Sequence, residues 1–101
     1  MGDAKPLILI SDDTDTDREM VSRYLPSQFS LQCAEDYEST RTILSSRHVY
    51  LALIDLFLDK NDQMPMGFQI QDEFPHVPIV LMSGQNPDRV ERAMRDRKQS
   101  P

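Results

Sequence analysis

The sequence predicts an α/β domain, a parallel sheet of about four strands wound with helices on both faces. Three observations carry that expectation. The runs Leu7–Ser11, Val49–Leu58 and Pro78–Gly84 are almost continuously apolar, as strands covered on both sides are. The segments between them carry helical periodicity or helix-start signals. The elements alternate strand, helix, strand, helix, strand, short helix, strand, helix, which is the order that parallel crossover connections require. A chain of 101 residues, 39% of them hydrophobic, has room for a single domain, with an ordered core expected over about residues 6–97.

The first strand is LILIS, Leu7–Ser11. Thr16-Asp17-Arg18-Glu19 fits a capping box, so a helix is expected to start near Asp17, with Met20, Val21, Tyr24 and Leu25 as its apolar stripe. Pro26 stops it. A short strand over Leu31–Ala34 follows, then a helix over Tyr37–Ser46 with Tyr37, Thr40 and Leu44 on one face. That helix is rich in Ser and Thr and weak by propensity. Val49–Leu58 is the most apolar run and predicts a central strand, interrupted by one carboxylate, Asp55. Asp59–Pro65 is polar and turn-rich. Met66–Phe74 predicts a short helix whose start Gly67 weakens. Pro78–Gly84 predicts a further strand. Asn86-Pro87-Asp88 opens the last helix with a cap residue, a Pro and an acid, and Arg95, Arg97 and Lys98 suit its far end. The tail beyond Arg97 is expected to fray.

Composition excludes several classes. A formal charge of −6 argues against a nucleic-acid partner. No apolar run approaches the roughly 20 residues that cross a bilayer, and no secretory segment opens the chain. The single Cys33 forms no internal disulfide and reads as a small apolar strand residue, and no Cys/His spacing suits zinc. A reducing, cytoplasmic compartment is expected. His48 and His76 read as surface residues, and Met64, Met66, Met82 and Met94 as core or gap filler. Asp59-x-Asn61 hints at a calcium loop, but the required Gly and distal Glu are not at the right offsets.

In sheets of this kind the working site lies at the carboxyl ends of the strands. Asp12 and Asp13 end the first strand, Asp55 lies near the end of the third, and Ser83 ends the fourth. Three carboxylates at one edge repel, so some protonate or a cation neutralises them. Hard oxygen ligands with room for water suit Mg²⁺. Aspartate is an established covalent phosphate acceptor, and Ser83 can hydrogen-bond a phosphate oxygen. Residue chemistry thus gives a metal-assisted aspartyl-phosphate site at Asp55. The competing reading of DDTDTD is a solvated rim with helix caps, and Asp15 and Asp17 are expected to be first-turn acids of that kind. Asp55 resists that reading, because a lone carboxylate in a run otherwise uncharged and mostly apolar needs a partner.

These residues resemble a response-regulator receiver (CheY-like) domain of two-component signalling over nearly the whole chain. LILISDDTDTDREMVSRYL is similar to the family's first strand, acidic pair and first helix. AEDYESTRTIL is similar to the end of its second strand and second helix, LALIDLF to its phosphoacceptor strand, and PIVLMSG to the strand ending in its Thr or Ser. The resemblance implies a flavodoxin-like sheet with the order 2-1-3-4-5. It also implies that Asp55 takes phosphate from a histidine kinase or phosphotransfer protein. Asp12, Asp13, Asp55 and the backbone carbonyl of Phe57 would hold Mg²⁺, and Ser83 would bond the phosphoryl group and couple it to a switch.

Two departures stand beside it. DKNDQMPMG delays the Pro and Gly that the family carries soon after its acceptor, here Pro65 and Gly67, and shortens the third helix. The family's fifth strand, with its phosphoryl-pairing Lys, and its fifth helix have no counterpart. Lys98 comes too early for that role, and Lys60 reads as a solvated loop residue. The expected fold is therefore a receiver truncated to about four strands, and its fourth strand is expected to form a homodimer through an exposed edge or by exchange of terminal segments. The other account is an excised piece of a longer receiver. Two further functions compete. One is a non-phosphorylated receiver-like binding or dimerisation module. The other is a haloacid-dehalogenase-like phosphatase, in which Asp13-Thr14-Asp15-Thr16 supplies Asp13 as nucleophile and Asp15 as general acid, but which leaves Asp55 unexplained. The receiver reading expects a signalling module rather than an enzyme.

Overall fold

The computed structural model describes residues 5–58, 65–83 and 87–99. Four strands, β1 (Leu7–Ser11), β2 (Ser30–Ala34), β3 (Leu51–Asp55) and β4 (Ile79–Met82), alternate with four helices, α1 (Asp15–Tyr24), α2 (Tyr37–Ser46), α3 (Met66–Glu73) and α4 (Pro87–Gln99). The strands form one parallel sheet in the order β2-β1-β3-β4.

The apolar run of β1 is buried along its whole length, because β1 is central and pairs with β2 on one side and β3 on the other. Val49–Leu58 is not one strand. Tyr50 N–H donates to Leu7 O and begins the pairing, the regular strand stops at Asp55, and Leu56, Phe57 and Leu58 turn away while staying buried. Their burial explains why the sequence looks like a longer strand: a buried turn needs apolar side chains as much as a strand does. β4, whose sequence predicts full burial, has only β3 beside it among the described residues, and Val80 is 49% exposed. Leu7, Leu9, Ala52, Ile54, Ile43, Leu44, Leu58 and Ile70 join in the main core. A smaller cluster of Leu56, Phe57 and Phe68 meets Val90 and Ala93 of α4.

The first helix starts earlier than the capping box at Thr16 predicts. Its N-cap is Thr14, and no side chain caps it. The turn is set instead by Asp12, whose Oδ1 accepts from Thr14 N at 2.9 Å. Two members of its expected apolar stripe face outward, Met20 at 53% exposed and Tyr24 at 79%. By contrast α2 falls where its residues predict. The Asp36 carboxylate accepts from Ser39 N at 2.8 Å in a reciprocal cap, and Thr40, Ile43 and Leu44 are buried. That cap offsets the weak propensity of a Ser/Thr-rich helix. Cys33 lies in β2, as expected of a strand residue, and is exposed there; Met94 is exposed, contrary to its reading as core or gap filler, while His48 and His76 lie on the surface as expected. Met64, Lys60, the Asp59-x-Asn61 segment and Asn86 fall outside the described residues, as do the side chains of Asp15, Thr16, Asp17 and Lys98.

Gly67 is required where the sequence alone reads a weak helix start. A Cβ there would lie 2.8 Å from Leu56 Cα and 3.2 Å from Asp55 O. Gly67 N–H also donates to Leu56 O at 3.1 Å. The first turn of α3 therefore seats directly on the end of β3.

Candidate functional site

Strand register brings the acidic residues together. Ser11 pairs with Ile54, so the next step along both parallel strands sets Asp12 beside Asp55. Asp12 N–H donates to Ala34 O at 3.0 Å, holding Asp12 as a continuation of the ladder. The Asp12 carboxylate is buried, at 4% exposure, and Asp13 follows at the rim. Oxygens of Asp12, Asp13 and Asp55 all lie within 4.8 Å of one another. Three like charges at that spacing repel by about 3 kcal/mol per pair at an effective dielectric near 20. The fold holds them there regardless, because backbone pairing and not side-chain attraction fixes their positions.

Local donors orient the trio. Asp55 Oδ1 accepts from Phe57 N at 3.0 Å, and Asp13 Oδ1 accepts from Thr14 Oγ1 at 3.4 Å. Arg18 Nη1 donates to the backbone carbonyl of Asp12 at 2.6 Å, and its other nitrogen lies 3.8 Å from Glu35. Arg18 thus pins the strand end through the backbone of Asp12. Beneath Asp12, the buried Thr40 Oγ1 donates to Ser11 Oγ at 2.8 Å or to Asp36 O at 2.7 Å, tying α2 to the end of β1.

The remaining expected residues fall around this edge. Met82 pairs with Asp55, so Ser83, one residue on, leaves β4 beside β3. Ser83 is exposed and borders a hollow of about 550 Å³ formed with Leu56, Leu81, Pro87, Val90 and Met94. Phe57 is buried two residues beyond Asp55. Its ring carries the guanidinium of Arg89, with Cζ 4.5 Å from the ring centroid. Sequence reasoning misses this arginine. The signal is a basic residue in the first turn of a helix, where the macrodipole disfavours a cation.

The donor set fits a hard divalent cation: three carboxylates at one strand edge, two of them near water, supply oxygen alone. No helix among the described residues is long and apolar enough to cross a membrane.

No family model matches the chain. The autoinducer 1 sensor kinase/phosphatase LuxN of Vibrio campbellii is 31% identical over 86 residues, which is 83% of this chain and 10% of LuxN. The chain thus spans about a tenth of that curated relative. A response regulator receiver protein from Pseudomonas putida superposes with a TM-score of 0.71 at 24% identity, over 92% of this chain and 79% of that one. The complex of the yeast histidine phosphotransfer protein Ypd1 with the receiver domain of Ssk1 matches at 0.55 and 14% identity, over 92% and 76%. Four parallel strands in the order β2-β1-β3-β4 and this shared architecture lead to one conclusion: the chain has the fold of response-regulator receiver domains.

Proposed function

We propose that the chain is a two-component signalling module that accepts a phosphoryl group on Asp55 from a histidine kinase or a phosphotransfer protein. The observation that carries this is the convergence of Asp12, Asp13 and Asp55 within 4.8 Å at the carboxyl edge of the sheet. In the transfer, the donor's bond to phosphorus breaks and its electron pair stays on the donor atom. A lone pair of an Asp55 carboxylate oxygen forms the new bond to phosphorus. Asp12, Asp13, Asp55 and the carbonyl of Phe57 would hold Mg²⁺, which when bound supplies charge neutralisation for the approaching phosphoryl oxygens. Asp12 is oriented by Thr14 N–H, and Asp55 is oriented by Phe57 N–H, so both present a fixed carboxylate. Ser83, leaving β4 next to Asp55, donates to a phosphoryl oxygen. The phosphotransfer complex among the structural neighbours supports a partner of that class.

The test is an intact mass after incubation with Mg²⁺ and acetyl phosphate. A phosphoryl adduct that disappears in Asp55→Asn is expected. An adduct that survives Asp55→Asn, or none in the unaltered chain, overturns the reading. Turnover of a phosphomonoester that survives Asp55→Asn and dies with Asp13→Asn would instead support the phosphatase.

A second reading has its own observation. Among the described residues β4 pairs on one side, with β3, and Val80 is half exposed on it. An apolar edge strand templates pairing with another chain. The chain is accordingly proposed to form a homodimer through β4, with or without phosphorylation.

A further inference from the structure

The end of the sheet away from the three carboxylates carries the opposite charge. A hollow of about 580 Å³ opens at the amino ends of β1 and β3, bordered by Lys5, Ser46, Arg47, His48 and Tyr50. Pro6 and Leu7 complete its wall, and the bond from Tyr50 N–H to Leu7 O holds the two strand starts together. No carboxylate borders it, although acids outnumber Lys and Arg in this chain by 17 to 11. Elsewhere arginines take carboxylate partners: Arg18 with Glu35, Arg41 with Glu73, Arg95 with Glu91 and Arg97 with Asp72. Arg47 instead donates to the neutral amide oxygen of Gln32, which uses only part of its donor fork. Among the described residues neither Lys5, Arg47 nor His48 meets a carboxylate. The helix α2 ends at Ser46, so its carbonyl end, worth about half a negative charge, lies at the same place. Lys5 and Arg47 bring two full positive charges, more than that end needs. Backbone bonding already serves the end as well, since Arg47 N–H donates to Ile43 O. Helix stability therefore leaves a surplus of positive charge unexplained. Tyr50 is half exposed at the hollow, and its ring leans on Phe29 with centroids 5.9 Å apart.

We propose that this hollow binds a small organic phosphate monoester. Lys5, Arg47 and His48 donate hydrogen bonds to the phosphate oxygens, and Pro6, Leu7 and the Tyr50 ring meet a planar apolar body. The size favours such a ligand over a bare anion, since pockets of about 300–1,000 Å³ hold small organic molecules. Binding forms and breaks no covalent bond. The site stands independently of the reading of Asp55, because the five residues of β1 separate the two ends of the sheet by about 17 Å.

The experiment titrates phenyl phosphate, inorganic phosphate and phenol into the isotope-labelled chain and follows the backbone amides by NMR. Mg²⁺ is left out, so the three carboxylates repel the same anions and do not compete for them. Phenyl phosphate is expected to shift the amides of Lys5, Arg47, His48 and Tyr50 saturably and to leave those of Asp12 and Asp55 in place. Phenol should not bind, and inorganic phosphate should bind more weakly than phenyl phosphate. Lys5→Gln and Arg47→Gln should each weaken phenyl phosphate about 10-fold, the scale of one charge-assisted hydrogen bond. Tyr50→Leu should remove most of the preference for phenyl phosphate over inorganic phosphate. Arg95→Gln, which deletes a cation on α4, should change nothing. No saturable shift at millimolar phenyl phosphate overturns the proposal, as do shifts centred on Asp12 and Asp55. Equal affinity for inorganic phosphate overturns it too, since the apolar wall then holds nothing. So does a loss in Arg95→Gln equal to that in Arg47→Gln, which marks net charge rather than a site. A purely structural Arg47 would lower the urea midpoint in Arg47→Gln and leave phenyl phosphate bound as before, and that result also overturns it.

Discussion

Gly67 and the Ser11–Thr40 pair show how single atoms near the site are constrained. A methyl at Gly67 would press on the Leu56 backbone, which cannot swing aside as a side-chain end can. Gly67→Ala is expected to cost about 1–3 kcal/mol in urea unfolding and to slow phosphoryl acceptance by shifting the end of β3. Ser11 is fully buried and meets the Thr40 hydroxyl. Thr40→Val strands the Ser11 hydroxyl and should cost about 1–3 kcal/mol. Adding Ser11→Ala should return part of that loss, because no buried hydroxyl then lacks a partner. A double change as costly as the sum of the single ones would show that the two hydroxyls are not coupled.

At the scale of elements, α2 is held at its N-terminal end by polar contacts that titrate. Bonds from the Ser39 side chain and backbone hold the Asp36 carboxyl below its ordinary 3.8. A depressed folded-state value means the cap stabilises above pH 3.8 and is lost as pH falls through that lower value. Asp36→Ala should flatten this acid limb of the stability profile. Tyr37 ties α2 to α3 through its hydroxyl bond to Glu73, with Arg41 3.5 Å from the same carboxylate. That bond, with burial and the Glu73 charge, raises the Tyr37 hydroxyl above its ordinary 10.0. Here the sign reverses: the tie is fully present below pH 10.0 and is lost as pH rises through the raised value. Urea midpoints taken on both sides of that range should diverge less in Tyr37→Phe. An unchanged divergence would remove this tie from the account.

For the molecule as a whole, the acidic edge and the open edge of the sheet set its behaviour. The mutual repulsion of Asp12, Asp13 and Asp55 stores destabilisation that a divalent ion relieves. Free Mg²⁺ at about 100 times its dissociation constant should raise stability by about 2.7 kcal/mol. Asp13→Asn should raise stability without the ion and blunt the gain with it. The β4 edge predicts association: light scattering behind size exclusion should report a dimer at micromolar concentrations, and Val80→Lys should return it to a monomer. A monomer before the change would dismiss the edge-pairing proposal.

The sequence by itself determined the order and type of every described element, because apolar runs and cap residues are local signals. It determined the candidate acids too, since one carboxylate inside an apolar run is conspicuous wherever the chain folds. It misplaced the start of α1, because the turn there is set by Asp12 and not by the Thr16 cap pattern. It overextended the third strand, because buried turns and buried strands share a composition. The strand order already places Asp12, Asp13 and Asp55 at one edge; only the tertiary structure decided how close they come, that Gly67 sits against Leu56, and that Arg89 lies on Phe57. Those are contacts between residues distant in the chain, or between one element's end and another's start. Strand register and helix docking fix them, and neither is written in any local stretch of residues.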